Sequence, residues 1–450
     1  MQKGYKKFEN ITIIDFHSSG KGIGIYNNKK VYVPFSIQDE NVDLLVEKRQ
    51  KRGYISGNII NIKPSICRVE PFCAHYFDCG GCDWMHICYE YQLVFKRQIL
   101  CNALKKYEIK HPPVPDVIFS KSTTYYRNKL DYYFSLDNED KIIIGFHPLE
   151  KPYTVTPIEN CFLMSEKVNE IVKNIVSLLK NKSISIYNYK ENNGTLRNIV
   201  FRHNKNGNLM IIIGLTQYDD IINYLIEEIK KIDLVKSCYY TILTNPLKGY
   251  ADGEMVHCFG TKYLEETSDN LIFRYGPKCF YQPNPYQADN IFKKVADYTS
   301  SSSSNVVYDL YCGIGTLSLY SAHANNYVIG IDASEESIDY AKMNAEINNK
   351  KNTEFITGDI LNTFNQDFVN KKGKPNIIIL DPPRSGTLIE IKKNIIWSET
   401  EKIVYVSCNP VSLAWDLKQL TEKYEIIEIQ PYDMFPQTHH IETLVFLIKK

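Results

Sequence analysis

Residues 402–406, Lys402-Ile403-Val404-Tyr405-Val406, read as a strand that runs out into Ser407-Cys408-Asn409-Pro410. A thiol at such a strand end is either inert packing or a nucleophile. Farther on, Asp433-Met434-Phe435-Pro436-Gln437-Thr438-His439-His440-Ile441-Glu442 brings acids and two histidines into the polar stretch before a last strand, Thr443-Leu444-Val445-Phe446-Leu447. A nucleophile with a separate base is the equipment of covalent catalysis, which assigns Cys408 and Glu442 as the reacting pair.

A second group of thiols has metal-ligand spacing. Cys73, Cys79 and Cys82 follow C-x5-C-x2-C around the turn Gly80-Gly81, and Cys161 stands at a distance in Ile158-Glu159-Asn160-Cys161. Three thiolates close in sequence and a remote fourth can complete a four-ligand shell, and the spacing leaves zinc and a [4Fe-4S] cluster both open. Cys67, Cys88 and Cys101 follow no such pattern and are read as structural.

Between the two groups lies a cofactor site. Val306 to Leu310 is an apolar strand entering the glycine turn Tyr311-Cys312-Gly313-Ile314-Gly315-Thr316, where bare backbone lets a ligand approach closely. The next strand, Tyr327 to Ile331, ends in Asp332, nineteen residues after Gly313, where a carboxylate can take both hydroxyls of a ribose. Ser318 replaces the third glycine of the dinucleotide fingerprint and there is no phosphate-binding P-loop, so S-adenosylmethionine fits better than NAD. A third strand, Thr353 to Ile356, leads to Asp359, placed to accept from an adenine amino group, and a fourth, Pro375 to Leu380, ends in Asp381-Pro382-Pro383-Arg384. Each acid alone could cap a helix; three of them at strand ends beside a glycine turn point to a ligand edge.

The chemistry this set suits is methylation of an unreactive ring carbon. Carbon 5 of a uracil cannot attack a sulfonium methyl unaided. Addition of a thiolate at carbon 6 makes the ring an enolate that can, and a base must then remove the carbon 5 proton so that the thiol leaves. Cys408 and Glu442 suit those two roles, with Asp381 holding the polar edge of the ring or the cofactor amine.

These residues need a frame. Beyond the Ser300 to Ser304 tract, strand and helix patterns alternate to the end, the signature of a doubly wound α/β sheet. From 63 to about 270 the pattern is mixed, with a strand-like run over 130–135 and a helix-like one over 218–231. Residues 10–62 hold four short alternating strands, Ile11–Asp15, Gly22–Tyr26, Lys30–Pro34 and Tyr54–Ile60, which predict a small barrel of the OB size class.

With 44% hydrophobic and 23% charged residues and no long apolar run, a membrane span is not expected. The N-terminus has no apolar core or cleavage site of a secretory signal, so a cytoplasmic protein with reduced or metal-bound cysteines is expected. Net charge is only +1, but residues 1–130 hold 20 Lys/Arg against 12 Asp/Glu, a net of +8, which leaves −7 for the rest. A basic front segment, with Lys48-Arg49-Gln50-Lys51-Arg52 as its densest run, suits contacts to the phosphates of an anionic polymer.

Taken together with Tyr126-Arg127-Asn128-Lys129 and Phe280-Tyr281-Gln282-Pro283-Asn284, these motifs closely resemble the RNA (uracil-5-)-methyltransferase family, and within it the iron-sulfur enzymes of 23S ribosomal RNA. The resemblance spans nearly the whole chain. It implies a multidomain α/β protein: a TRAM-like, OB-like β-barrel at 1–62 that binds RNA, a central α+β iron-sulfur domain at 63–268, and a Rossmann-like S-adenosylmethionine-dependent methyltransferase domain at 269–450. It further implies that Cys73, Cys79, Cys82 and Cys161 ligate a [4Fe-4S] cluster, and that Gln282, Tyr311, Asp332 and Asp381, with Thr316 and Asp359, line the S-adenosylmethionine pocket. By the same resemblance Cys408 is the nucleophile and Glu442 the proton-abstracting base. The implied partner is RNA, 23S ribosomal RNA first and tRNA second, with no protein partner and a monomeric chain. Relatives typically carry Glu where this chain has the shorter Asp332.

Overall fold

The computed structural model describes residues 6–50, 53–148, 151, 153–180, 182, 184–245, 249–300 and 303–450, without the side chains of 47–57. The basic run from Lys48 to Arg52 therefore lies outside the described residues as far as its side chains are concerned.

Alternation of apolar and polar residues builds the first unit. Lys6–Phe16, Gly22–Tyr26, Lys29–Val33, Asn41–Gln50 and Gly53–Lys63 close into a barrel. Its interior is filled by Phe8, Ile11, Ile13, Val31, Val33, Val42, Leu44 and Val46. The strand Asn41–Gln50 is one more than the sequence reading expects; Val42, Leu44 and Val46 supply its period of two, and the charges at its end mask it.

The second unit is a seven-stranded sheet in the order Glu254–Gly260, Val235–Ile242, Leu209–Leu215, Leu196–His203, Lys129–Leu136, Ile142–Phe146, Thr156–Pro157. One face carries the helices Glu166–Leu179 and Ile221–Lys230, whose apolar stripes pack with Tyr132, Phe134, Ile199, Phe201 and Ile211. The opposite face is turned toward the third unit, with Val200, Met210 and Ile212 joining its core.

That third unit is another seven-stranded sheet, ordered Thr353–Thr357, Asn326–Asp332, Asn305–Leu310, Ile377–Leu380, Lys402–Ser407, Glu442–Lys449, Tyr424–Tyr432. The first five strands are parallel, and Glu442–Lys449 inserts antiparallel between Lys402–Ser407 and Tyr424–Tyr432. The central strands are apolar on both faces, as a sheet covered by helices on both sides requires. The order reverses between Asn305–Leu310 and Ile377–Leu380, a topological switch point that opens a crevice at the carboxyl ends of the strands.

The long helix Tyr89–Lys106 follows the cysteine-rich stretch yet packs on the third unit, its Leu100, Ala103 and Leu104 meeting Leu413 and Leu417 of the helix Pro410–Leu420. Among the described residues no helix is long and apolar enough to cross a membrane.

Candidate active site

At the switch point a cleft of about 960 Å³ opens between the second and third units. It is lined by Gln282, Tyr311, Thr316, Asp332, Asp381, Cys408 and Glu442, and equally by Cys73, Cys79, Cys82 and Cys161. Of the residues singled out from sequence only Asp359 stands apart. It is exposed, and its side chain accepts from the Asn362 backbone N–H as the N-cap of the short helix Ile360–Thr363.

The glycine turn is shaped by left-handed backbone at Tyr311, Gly313 and Gly315, with φ of 73°, 53° and 82°. At Gly315 a Cβ would meet the Phe355 ring at 3.1 Å and the Ala341 methyl at 3.3 Å, so both conformation and packing call for glycine. Tyr311 takes the same region with a full side chain, a strained arrangement of the kind that persists where a binding site holds it. Asp332 braces the turn: one carboxylate oxygen accepts from the Gly313 N–H at 3.0 Å and the other from the Ser334 N–H at 2.8 Å.

Strand register brings the reacting pair together. Ser407 lies opposite Thr443 in the antiparallel pair, so the next residues outward, Cys408 and Glu442, stand at adjoining ends of neighbouring strands. Asn409 caps the following helix through the Val411 N–H at 3.0 Å, and its amide donates to the Arg384 carbonyl at 2.9 Å. Ser412 donates to the same carbonyl at 3.1 Å, which fixes Arg384 over the thiol. Burial pushes the Cys408 thiol up to about 11, with the Glu442 and Asp381 charges adding to it and the Arg384 guanidinium opposing.

The cleft is a pocket of acids. Asp381 is pushed up to about 7 by burial and by the neighbouring Asp309, while the Gln282 amide, which donates to it at 3.3 Å, works the other way. Glu442, 2% exposed, is held well above the ordinary carboxylate range by burial and by Asp381. Such a site prefers protons or a cationic ligand. Arg384 escaped the sequence reading as a site residue; its position directly after the strand-end Asp381-Pro382-Pro383 was the available signal.

The loop before Glu442 is clamped from outside its own unit. Lys96 and Asp433, both fully buried, pair at 2.5 Å, and Lys96 also donates to the Phe435 carbonyl at 2.9 Å. Tyr89 donates to Asp433 at 2.8 Å. Gln437, at φ 68°, exchanges two 3.0 Å hydrogen bonds with the Gln92 amide, and its carbonyl accepts from the Trp84 N–H at 3.0 Å. His439 is gripped through ring and backbone by Asp83. His440 is pushed down to about 2 by burial, by His439 and by Arg384, whose guanidinium stands 3.4 Å from its Nε2. In the Tyr126-Arg127-Asn128-Lys129 segment, Tyr126 and Asn128 are buried fasteners, bonded to the Pro436 carbonyl and to the Gln282 and Pro283 carbonyls. Arg127 and Lys129 remain on the cleft.

The four cysteines line the cleft's far end. The helix Tyr76–Cys79 stops at Gly80 with φ 73°, and Thr156 and Glu159 tie this turn to the Cys161 segment by bonds to the Asp78 carbonyl and the His75 ring. Burial, reinforced by Cys161 and Cys73, pushes Cys79 up to about 12, and burial with all three other thiols lifts Cys82 well above the ordinary thiol. Among the described residues, the buried Tyr132 hydroxyl beside Cys161 and Cys79 finds no hydrogen-bond partner. Neighbouring buried thiols that resist ionisation on their own and an unpartnered hydroxyl are what the cationic core of a metal-sulfur centre would satisfy. Among the described residues, no three His, Cys, Asp or Glu side chains close around one point as a single metal ion requires.

Residues 88–450 match the protein family described as tRNA (uracil-5-)-methyltransferase. A Bacteroides thetaiotaomicron protein described as an uncharacterized RNA methyltransferase is 34% identical over 454 residues, spanning 96% of this chain and 99% of its own. Another so described, from Caldanaerobacter subterraneus subsp. tengcongensis, is 34% identical with 100% of both chains covered. Among solved structures, the tRNA (uracil-54, C5)-methyltransferase of Pyrococcus abyssi in complex with S-adenosyl-L-homocysteine is similar at a TM-score of 0.78 and 27% identity, covering 98% of this chain and 100% of that one.

Proposed function

The chain belongs to the tRNA (uracil-5-)-methyltransferase family, and on that premise we propose that it methylates carbon 5 of a uridine in 23S ribosomal RNA through a covalent Cys408 adduct. It is a methyltransferase dependent on S-adenosylmethionine that acts on RNA. The observation that carries the covalent reading is the register of Ser407 on Thr443, which sets a thiol and a carboxyl side by side at the mouth of the cofactor crevice.

S-adenosylmethionine, when bound, supplies the methyl group and a positive sulfonium that the acids of the cleft favour. Gln282, Tyr311, Thr316, Asp332 and Asp381 are the residues proposed to hold it; Asp359, spent on its helix cap, is not among them. The Cys408 thiol gives up its proton to solvent as its sulfur bonds to carbon 6 of the uracil, and the electron pair of the ring's double bond moves to give an enolate. Carbon 5 takes the methyl as the methyl–sulfur bond breaks, its electron pair staying on sulfur to leave S-adenosylhomocysteine. Glu442, whose raised proton affinity makes it a strong base once ionised, then removes the carbon 5 proton, the double bond re-forms and the Cys408 sulfur leaves as thiolate, which takes a proton from solvent for the next round. Arg384 stabilises the thiolate by its charge.

Cys73, Cys79, Cys82 and Cys161 would hold a [4Fe-4S] cluster, and four protein thiolates leave iron no open position, so the cluster's part is to brace the far end of the cleft. The three units are assigned as RNA-binding barrel at 1–62, cluster domain at 63–268 and methyltransferase domain at 269–450. The rival substrate is a tRNA uridine, which the Pyrococcus abyssi similarity favours. Mapping 5-methyluridine by mass spectrometry in 23S ribosomal RNA and tRNA of a deletion strain tests the substrate: loss from 23S alone supports the reading, and loss from tRNA alone overturns it. Incubation with RNA containing 5-fluorouracil tests the chemistry, since a thiol adduct at carbon 6 is trapped and Cys408→Ala abolishes it.

A further inference from the structure

One wall of the cleft has no part in the reaction above. It is the face of the second sheet turned toward the methyltransferase unit. Along Lys129–Leu136 side chains alternate: Tyr132 and Phe134 enter the core under the helices, while Lys129, Asp131 and Tyr133 look into the cleft. His147, just past the neighbouring strand Ile142–Phe146, joins them there.

The wall is built with care for one carboxyl group. The Asn198 amide donates to Asp131 Oδ1 at 2.7 Å. Asn198 lies there because position 214 on the next strand is glycine: a Cβ on Gly214 would stand 2.1 Å from Asn198 Oδ1. Among the described residues the second oxygen, Asp131 Oδ2, accepts from the Tyr133 hydroxyl alone, at a long 3.4 Å. Burial raises the Asp131 carboxyl, and the charges of Lys129 and Arg197 and the Asn198 bond work against that. Beside it the rings of Tyr133 and His147 lie 4.3 Å apart at 45°, and Arg197, 5.6 Å from the Tyr133 ring, backs them.

An inward acceptor is wrong for phosphate, which it repels, and right for an amino group on a base edge; aromatic faces are what an unstacked base lies against. We propose that Asp131, Tyr133 and His147 form a second subsite, for an amino-bearing nucleobase (adenine, cytosine or guanine) flanking the uridine that is methylated. This rests on reading the chain as an RNA uridine methyltransferase. Arg127 and Lys129, on the same strand and its approach, follow the backbone between the two bases. The target uridine at Cys408 and its neighbour at Tyr133 are thereby held apart on opposite walls, which keeps the RNA unstacked at the reaction.

The test uses the full chain and a short RNA spanning the uridine to which the wild-type protein transfers its methyl. Each flanking nucleotide is replaced in turn by an abasic one, and adenosine, guanosine or cytidine by purine riboside, inosine or uridine, which lack the amino group. At one flanking position the wild type should lose about fivefold to a hundredfold in kcat/KM on removal of the base, the range of one stacked base. Tyr133→Leu should be slow on intact RNA and insensitive to that removal, while Tyr133→Phe keeps the wild-type ratio. Asp131→Asn should lose only the sensitivity to the amino group. S-adenosylhomocysteine affinity, measured by calorimetry, should be unchanged in all three and reports that they fold. Wild-type ratios at every flanking position in Tyr133→Leu would overturn the subsite.

A wild-type protein that transfers no methyl to any RNA would instead overturn the function proposed above. The subsite is then decided by short-wave ultraviolet crosslinking of the S-adenosylhomocysteine-saturated protein to random-sequence single-stranded RNA. A nucleotide adduct on the Lys129–Leu136 or His147 peptide supports it, and adducts confined to other peptides reject it.

Discussion

At the scale of single residues the cleft is governed by what burial does to charge. Cys408 at about 11 is a protonated thiol at neutral pH, so adduct formation needs help from Arg384 and from the incoming cationic cofactor. Cys408→Ala should retain cofactor and RNA affinity and lose turnover and trapping by 5-fluorouracil RNA, a result read by gel shift and methyl-transfer assay. Glu442→Gln should still add the thiol and take the methyl, then accumulate as a methylated covalent complex, because the carbon 5 proton stays. Denaturing gels with labelled cofactor distinguish that stall from a simple loss of activity. The pH dependence follows from Asp381. Its carboxyl is raised to about 7 from 3.8, so its contribution to stability is whole below the unfolded value and is lost as pH rises through about 7. A bound cation reverses the penalty. The rise in melting temperature produced by S-adenosylmethionine should therefore grow as pH climbs from roughly 5 to 8, and S-adenosylhomocysteine, without the sulfonium charge, should show a smaller growth; equal increments for the two ligands would count against the electrostatic account.

At the scale of elements, the helix Tyr89–Lys106 and the loop 433–440 behave as one part. Lys96 reaches Asp433 across a sequence separation of 337 residues, and neither side chain touches solvent. Pairing of this kind adds little over an apolar substitute, but removal of one partner strands the other charge. Lys96→Met should destabilise the protein by about 3–5 kcal/mol in denaturant unfolding, and Lys96→Met with Asp433→Asn should recover part of that loss. Because the same loop ends at Glu442, kcat should fall in the single variant more than S-adenosylmethionine affinity does. Gln92→Ala releases the two bonds to Gln437 and should act in the same direction with a smaller effect.

At the scale of the whole molecule, the second and third units share one cleft, and the thiols at its far end are joined to the reacting end through Asp83, Trp84 and the loop they bind. Protein purified without air should carry about four irons and absorb broadly in the visible, and Cys79→Ser should lose both. Stoichiometric zinc in such protein would overturn the cluster assignment. The basic front segment gives a separate expectation. A target base in folded RNA must be turned out of its stack at a cost of a few kcal/mol, which interactions with the surrounding strand have to supply. Neutralising Lys48, Arg49, Lys51 and Arg52 should weaken RNA binding and flatten its salt dependence by roughly 0.7 to 0.9 in slope for each phosphate that no longer meets a cation, with cofactor affinity untouched. An unchanged slope would move the RNA track to Arg127 and Lys129.

What the amino-acid sequence determined by itself is whatever a short stretch of chain can encode. The strand into a glycine turn at 306–316, the acids at strand ends and the clustered thiols are each legible within about a dozen residues, because alternation, turn chemistry and ligand spacing are local properties. The Asn41–Gln50 strand was missed, because the charges at its end hid the alternation of Val42, Leu44 and Val46. The rest depended on distances between segments far apart in the chain. Cys408 and Glu442 are neighbours only because one strand runs antiparallel at a particular register, and a shift of one residue would have turned the pair to different faces. Periodicity carries no record of register across a sheet. Nor does it say that the helix after the cysteine-rich stretch crosses to the third unit, since its apolar stripe could cover either sheet. Asp359 shows the converse: the same strand-end signal that marks Asp332 and Asp381 ends in a helix cap, and only the fold, by placing two of the three on the cleft, separates the acids that face a ligand from the one that serves its own backbone.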